Sequence, residues 1–195
     1  TRWVIQQTFA YLERWREYAM FNELSLAINI SSKQFQQDMY AKELIELLKN
    51  YPLRGKIELE VTESTLMNDL DIAIDTLKQL HELGVSIAID DFGTGYSSLA
   101  YLKRLPIDYL KIDRSFVTDL QYDEESRAII KTILLLANSL GLKVVAEGVE
   151  TPYHQEFMQK NGCDILQGYY YTPPLPLEKF EIWVKDFANL SKKMV

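Results

Sequence analysis

The sequence predicts a parallel α/β barrel, and three observations carry that prediction. Six short apolar stretches alternate with segments of helical or helix-like character, the pattern of a parallel sheet with right-handed crossovers. The central stretch is apolar at Val85, Ile87, Ala88 and Ile89 with little alternation, as in a strand covered on both faces. Each of the six stretches also ends at or near a polar residue: Asn29, Glu60, Asp90 with Asp91, Lys111, Glu147 and Gln167. An open sheet gathers ligands at one crevice and lets its other strands end blandly, whereas a barrel brings every strand end to one ring. A closed barrel of this type has about eight strands. The 195 residues therefore read as a single domain, a barrel incomplete at its N-terminus with about six of eight strands present.

The elements follow in order. Residues 1–20 place Ile5, Phe9, Leu12, Trp15 and Ala19 at steps of three and four, a helix with one buried face. Residues 24–30 read as a strand, and Ser31 and Ser32 can cap a helix running to about residue 50 with Leu44, Leu47 and Leu48 inward. Pro52 and Gly55 make a loop before the strand 56–63. A helix over 69–83 rests on Ala73, Leu77 and Leu80 and stops at Gly84. The central strand ends in two adjacent acids and a loop containing Gly93, Gly95, Ser97 and Ser98. Residues 96–105 read as helix ending before Pro106, and 107–112 as strand. A helix over 124–140 ends at Gly141, and the strand 142–146 follows. Thr151-Pro152 opens a short helix, with proline in its first turn. The last strand is 164–167, and after Pro173, Pro174 and Pro176 a closing helix spans 177–190.

Composition narrows the function. Hydrophobic residues make up 47% of the chain and charged residues 25%, as in an ordinary globular protein. A net charge of -7 argues against a duplex DNA or RNA partner, which needs a basic face. A small anionic ligand remains compatible, since a bound cation inverts the local field. Cys163 is the lone cysteine, which fits a reducing, cytoplasmic setting. The longest greasy segment, 129–142, is broken by Lys131, Asn138, Ser139 and Gly141 and reads as a buried helix, with no signal peptide elsewhere.

Glu60, Asp90 and Asp91 with Asn29 form an all-oxygen set suited to magnesium or manganese, able to hold one ion or share two. Two ions close together clamp the attacking and leaving oxygens of a phosphodiester. Lys111 can neutralise phosphate charge or orient a water, and its plainer reading is a pair with Asp113. Glu147 can ligate metal or act as general base, and Gln167 can orient a water. The plainer reading of any one strand-end acid is a helix cap. Asp91-Phe92-Gly93 spells a kinase triplet, but no His-Arg-Asp loop lies upstream, and no zinc spacing or serine triad is present.

The run IDDFGTGYSSLAYLKRLPIDYLKIDRSFV, residues 89–117, closely resembles the EAL domain family, bacterial phosphodiesterases of cyclic di-GMP. INIS at 28–31, ELEVTES at 58–64, VVAEGVET at 144–151 and GCDILQGYY at 162–170 match further blocks in the same order. The resemblance implies a modified TIM barrel that hydrolyses cyclic di-GMP to linear pGpG in bacterial second-messenger signalling. It implies two Mg2+ or Mn2+ ions, with Asn29, Glu60 and Asp90 as ligands and Asp91 helping to hold the second. Lys111 then contacts the catalytic water, Glu147 is general base or metal-associated acid, and Gln167 lies near the water network. Glu63 matches the glutamate that anchors the loop 92–98; its plainer reading is a first-turn acid favoured by the helix dipole. The family's Glu-Ala-Leu block, which carries a metal-binding glutamate, is absent, in keeping with the short strand count, so these 195 residues alone are expected to show little or no phosphodiesterase activity. The competing readings are a non-catalytic cyclic di-GMP receptor and an inactive interaction module. A homodimer, and an upstream sensory or GGDEF-type domain in a longer protein, are the further partners implied.

Overall fold

The computed structural model describes residues 2–31, 35, 38–52, 56–67, 70–94 and 99–191. Six strands form one sheet: β1 (Leu26–Ile30), β2 (Ile57–Thr62), β3 (Ser86–Phe92), β4 (Tyr109–Ile112), β5 (Lys143–Ala146) and β6 (Ile165–Leu166). Their order in space is their order in the chain, and every pairing is parallel. This is the stepwise winding of a barrel wall, and β1 and β6 are its two edges among the described residues. The helices are α1 (Arg2–Trp15), α2 (Asp38–Lys49), α3 (Glu63–Met67), α4 (Leu70–Glu82), α5 (Leu99–Leu102), α6 (Arg114–Thr118), α7 (Glu124–Leu140), α8 (Pro152–Lys160) and α9 (Leu177–Ser191).

Alternate residues on each strand face the helices. Ile57, Leu59 and Val61 of β2, Ile87 and Ile89 of β3, and Leu110 and Ile112 of β4 are buried in one core with Leu44, Leu48, Leu77, Leu80, Ile130 and Ala137 of the helices. A smaller cluster of Trp15, Phe21 and Val184 joins α9 to α1. There the Trp15 indole N–H donates to Glu181 at 2.9 Å, and Arg14 pairs with the same carboxylate at 2.8 Å. On β1, Ile28 and Ile30 are buried while Ala27 and Asn29 are exposed, because the edge strand has a neighbour on one side only.

The helix ends follow local chemistry. Asp123 caps α7 by accepting from the Glu125 and Ser126 amides, and Gly141 closes that helix in the left-handed conformation. Thr151 caps α8 with Pro152 in its first turn.

Several expected boundaries move. Glu63 begins α3 rather than ending β2, the helix expected over 69–83 is preceded by this separate turn, and α5 is only four residues. The helix expected from the Ser31-Ser32 cap is described from Asp38 on, apart from Phe35. The short α6 had no expectation, because five residues are too few to show a period. Ser32, Gly55, Gly95, Ser97 and Ser98, used above as cap or loop positions, and residue 69, the expected start of a helix, lie outside the described residues.

Candidate active site at the strand ends

Acids at the two ends of the sheet do different work. At the N-terminal ends, Asp108 accepts the Ile87 amide and Asp164 the Val144 amide, each at 2.8 Å, and so stitch adjacent strands together. At the C-terminal ends the carboxylates turn to one another and to a lysine. Lys111 of β4 projects to the inner face, 3% exposed. Its Nζ lies 2.6 Å from Glu60 Oε1, 2.7 Å from Glu147 Oε1 and 3.3 Å from Asp90 Oδ1. Three strands thus deliver three carboxylates to one ammonium, and Asp113, the partner of the plainer reading, is not among them.

A β-bulge makes this possible. Ile89 pairs with Leu110 and Phe92 with Ile112, so Asp90 and Asp91 together face the single residue Lys111. Asp91 takes a positive φ of 54°, a conformation that Asp tolerates better than most residues. Asp90 thereby reaches the lysine and also accepts the Asp91 amide at 3.1 Å. Asp113 caps α6, accepting from the Ser115 amide at 3.0 Å.

Electrostatics follow from three negative charges round one positive one. Burial alone would lower the lysine, but its hydrogen bonds to Glu147 and Glu60 outweigh that and hold it above its ordinary range. Burial pushes Glu147 up, and repulsion from Asp90 and Glu60 adds to this, because the ammonium is shared. Burial and the neighbouring Asp90, Asp113 and Glu147 raise Asp91 likewise.

Asn29 sits on β1 directly beside Glu60 in register and is exposed, at one edge of the arc. Gln167 follows β6 at the other edge, also exposed. Its backbone continues the strand pairing: the Gln167 amide donates to Ala146 at 2.9 Å, and the Val149 amide donates to the Gln167 carbonyl at 3.0 Å. Gly168 then lies directly on the Val149 backbone.

Glu63 makes a different contact. It is buried and accepts a hydrogen bond of 2.9 Å from the Tyr101 hydroxyl, which is buried too. Of the loop that Glu63 is expected to anchor, residues 95–98 lie outside the described residues. What the structure shows is a link from the start of α3 to α5, which follows that loop. Tyr101→Phe is expected to cost about 2 kcal/mol, since it takes a donor from a buried carboxylate. Urea denaturation measures that loss, and faster amide exchange at residues 92–94 would tie the link to the loop; unchanged exchange would confine it to α5.

Tyr101 and Gly168 had no place in the site expected from sequence. The tyrosine has no local signal, while a glycine directly after the strand-end Gln167 is a readable hint of close backbone approach.

Among the described residues, no group of three or more acidic, histidine or cysteine side chains is arranged to hold a metal; the point on which the carboxylates converge is the Lys111 nitrogen.

Comparison with known proteins adds three findings. A family model described as the EAL domain matches residues 1–174. The bifunctional diguanylate cyclase/cyclic di-GMP phosphodiesterase MucR of Pseudomonas aeruginosa is 44% identical over 184 residues, which are 91% of this chain and 26% of MucR. The chain thus spans about a quarter of the length of the curated relatives it matches. Among solved structures, the MucR phosphodiesterase in complex with c-di-GMP superposes with a TM-score of 0.86 at 42% identity, covering 91% of this chain and 72% of that one. The EAL domain of Mycobacterium smegmatis DcpA gives 0.86 at 38% identity, over 95% and 83% of the two chains. A manganese/cy-diGMP complex of Klebsiella pneumoniae BlrP1 gives 0.70 at 30% identity, over 85% and 45%.

Proposed function

This chain belongs to the EAL domain family, and we propose that its strand-end cluster hydrolyses cyclic di-GMP to linear pGpG in second-messenger signalling. The observation that carries the reading is the convergence of Glu60, Asp90 and Glu147 on Lys111 at the C-terminal ends of three strands. The c-di-GMP and manganese complexes of the structural relatives support it.

The donor set is all oxygen and strongly anionic, which fits a hard divalent cation such as Mg2+ or Mn2+. Asn29, Glu60, Asp90 and Asp91 are the residues that would hold one or two such ions. Bound there, the metal supplies Lewis-acid stabilisation of the phosphoryl charge and a more acidic water. The chain's own residues do the rest. Glu147, with its proton affinity raised by burial, accepts the proton of the attacking water. Lys111 keeps its proton and sets a positive charge where phosphate charge develops. Gln167 orients the water. The water oxygen bonds to phosphorus, the bond from phosphorus to the 3′ oxygen breaks, and that oxygen takes a proton, leaving a linear dinucleotide with a 5′ phosphate.

The same reading carries a homodimer and, in the longer protein, a GGDEF-type cyclase partner, as in the bifunctional relative. It also carries a cytoplasmic location; among the described residues no helix is long and apolar enough to cross a membrane.

The test is product analysis after incubation with Mn2+ and cyclic di-GMP, beside calorimetry of metal binding. Metal-dependent pGpG is expected from a chain extended upstream by a Glu-Ala-Leu strand and its neighbour, and little or none from these 195 residues alone, with Mn2+ affinity in Asp90→Asn lowered about tenfold or more, as for loss of a metal-site group. Retention of intact cyclic di-GMP without product by the extended chain would make it a receptor. Unchanged affinity in Asp90→Asn would remove Asp90 from the ligand set.

A further inference from the structure

Lys111 makes three ion pairs, one to each of three strands' carboxylates. Its side chain is 4% exposed, and those of Glu60, Asp90 and Glu147 are 8%, 14% and 20% exposed. Carboxylates this withdrawn from water repel one another strongly unless a cation lies among them. The ammonium supplies that cation. Three carboxylates and one ammonium leave the cluster at a formal charge of -2, still attractive to a divalent ion. Yet Glu60 and Asp90, two of the residues that would hold such an ion, each already give one oxygen to the lysine. The bulge at Asp90 and Asp91 lies opposite Lys111, so the lysine also faces the part of β3 where two acids leave the regular ladder.

We propose that Lys111 is the resident counter-ion of the metal-free site: it positions Glu60, Asp90 and Glu147 on their three strands and competes with an incoming divalent cation for Glu60 and Asp90. The inference rests on the metal-dependent reading above and assigns Lys111 a role separate from any contact with the water. Metal affinity is then set partly by the cost of loosening the lysine. Side-chain rearrangement at Lys111 accompanies metal entry.

The test compares wild type, Lys111→Met and Lys111→Arg by thermal denaturation without metal and by calorimetric titration with Mn2+. Lys111→Met removes the charge while keeping most of the apolar stem. It is expected to melt lower than wild type without metal and to bind Mn2+ about tenfold more tightly, as removal of a unit positive charge at this range predicts. Mn2+ should also raise its melting temperature by more than it raises that of wild type. Lys111→Arg keeps the charge and should keep an affinity within about threefold of wild type. A second measurement needs no variant. In 15N-lysine-labelled wild type, the Lys111 ammonium resonance should move during titration with Mg2+ and saturate with the calorimetric midpoint. Equal or weaker Mn2+ binding by Lys111→Met, or a Lys111 resonance unmoved by saturating Mg2+, would overturn the competition. Failure of wild type and both variants to bind Mn2+ at all would instead overturn the metal-dependent reading.

Discussion

Glu60→Gln in the upstream-extended chain is expected to reduce turnover of cyclic di-GMP about a thousandfold, the scale seen when a preorganised charge is removed from an active site. Glu60 is buried on the inner face of β2, and its carboxylate lies 2.6 Å from the Lys111 nitrogen. The amide keeps the shape but removes a negative charge from both the proposed metal set and the lysine's surroundings. Lys111 retains Asp90 and Glu147 as partners, so the fold should survive and the loss should fall on chemistry and metal binding. The kcat for pGpG release at saturating Mn2+, beside a melting curve, separates the two effects. Turnover within about tenfold of wild type would be too small for this kind of loss and would place the reaction centre elsewhere.

Gly168→Ala has the largest expected effect on stability, a loss of about 3 kcal/mol or more, the upper range for forcing atoms into a packed interior. A Cβ at this position would overlap the Val149 backbone nitrogen and oxygen and lie 2.6 Å from its carbonyl carbon. Backbone cannot swing aside as a side chain can. The Tyr170 amide donates to the Val149 carbonyl at 2.9 Å, so the segments carrying Glu147 and Gln167 are held by the contact that the methyl group would break. Gly84→Ala is the comparison. That glycine has a positive φ and open space around it, whereas Gly168 has no positive φ, and the loss at Gly84 should be nearer 1 kcal/mol. Urea midpoints of the two variants measure the difference; a loss at Gly168 no larger than that at Gly84 would show that the Val149 backbone yields to the methyl group.

Much of the wall was legible in the sequence because its signals are local. Apolar runs such as the one through Ile87, Ala88 and Ile89 mark strands, and a Gly141 or a Thr151-Pro152 marks a helix end wherever it occurs. The polar strand ends were legible for the same reason, and they picked out all three carboxylates and the lysine of the cluster. The partner of that lysine was not. Asp113 is the nearer acid in sequence, yet it turns to Ser115 at the start of α6.

The sequence by itself determined six parallel strands in serial order, their helical crossovers, and which residues stand at the strand ends. Tertiary structure alone decided how those residues meet. The bulge that sets Asp90 and Asp91 against Lys111, the buried Tyr101 hydroxyl on Glu63 and the seating of Gly168 on Val149 each depend on the register between segments far apart in the chain. A shift of one residue in that register would turn every strand side chain to the opposite face. No local pattern encodes such a register; it is selected by the summed packing of the core, and the site inherits its geometry from that choice.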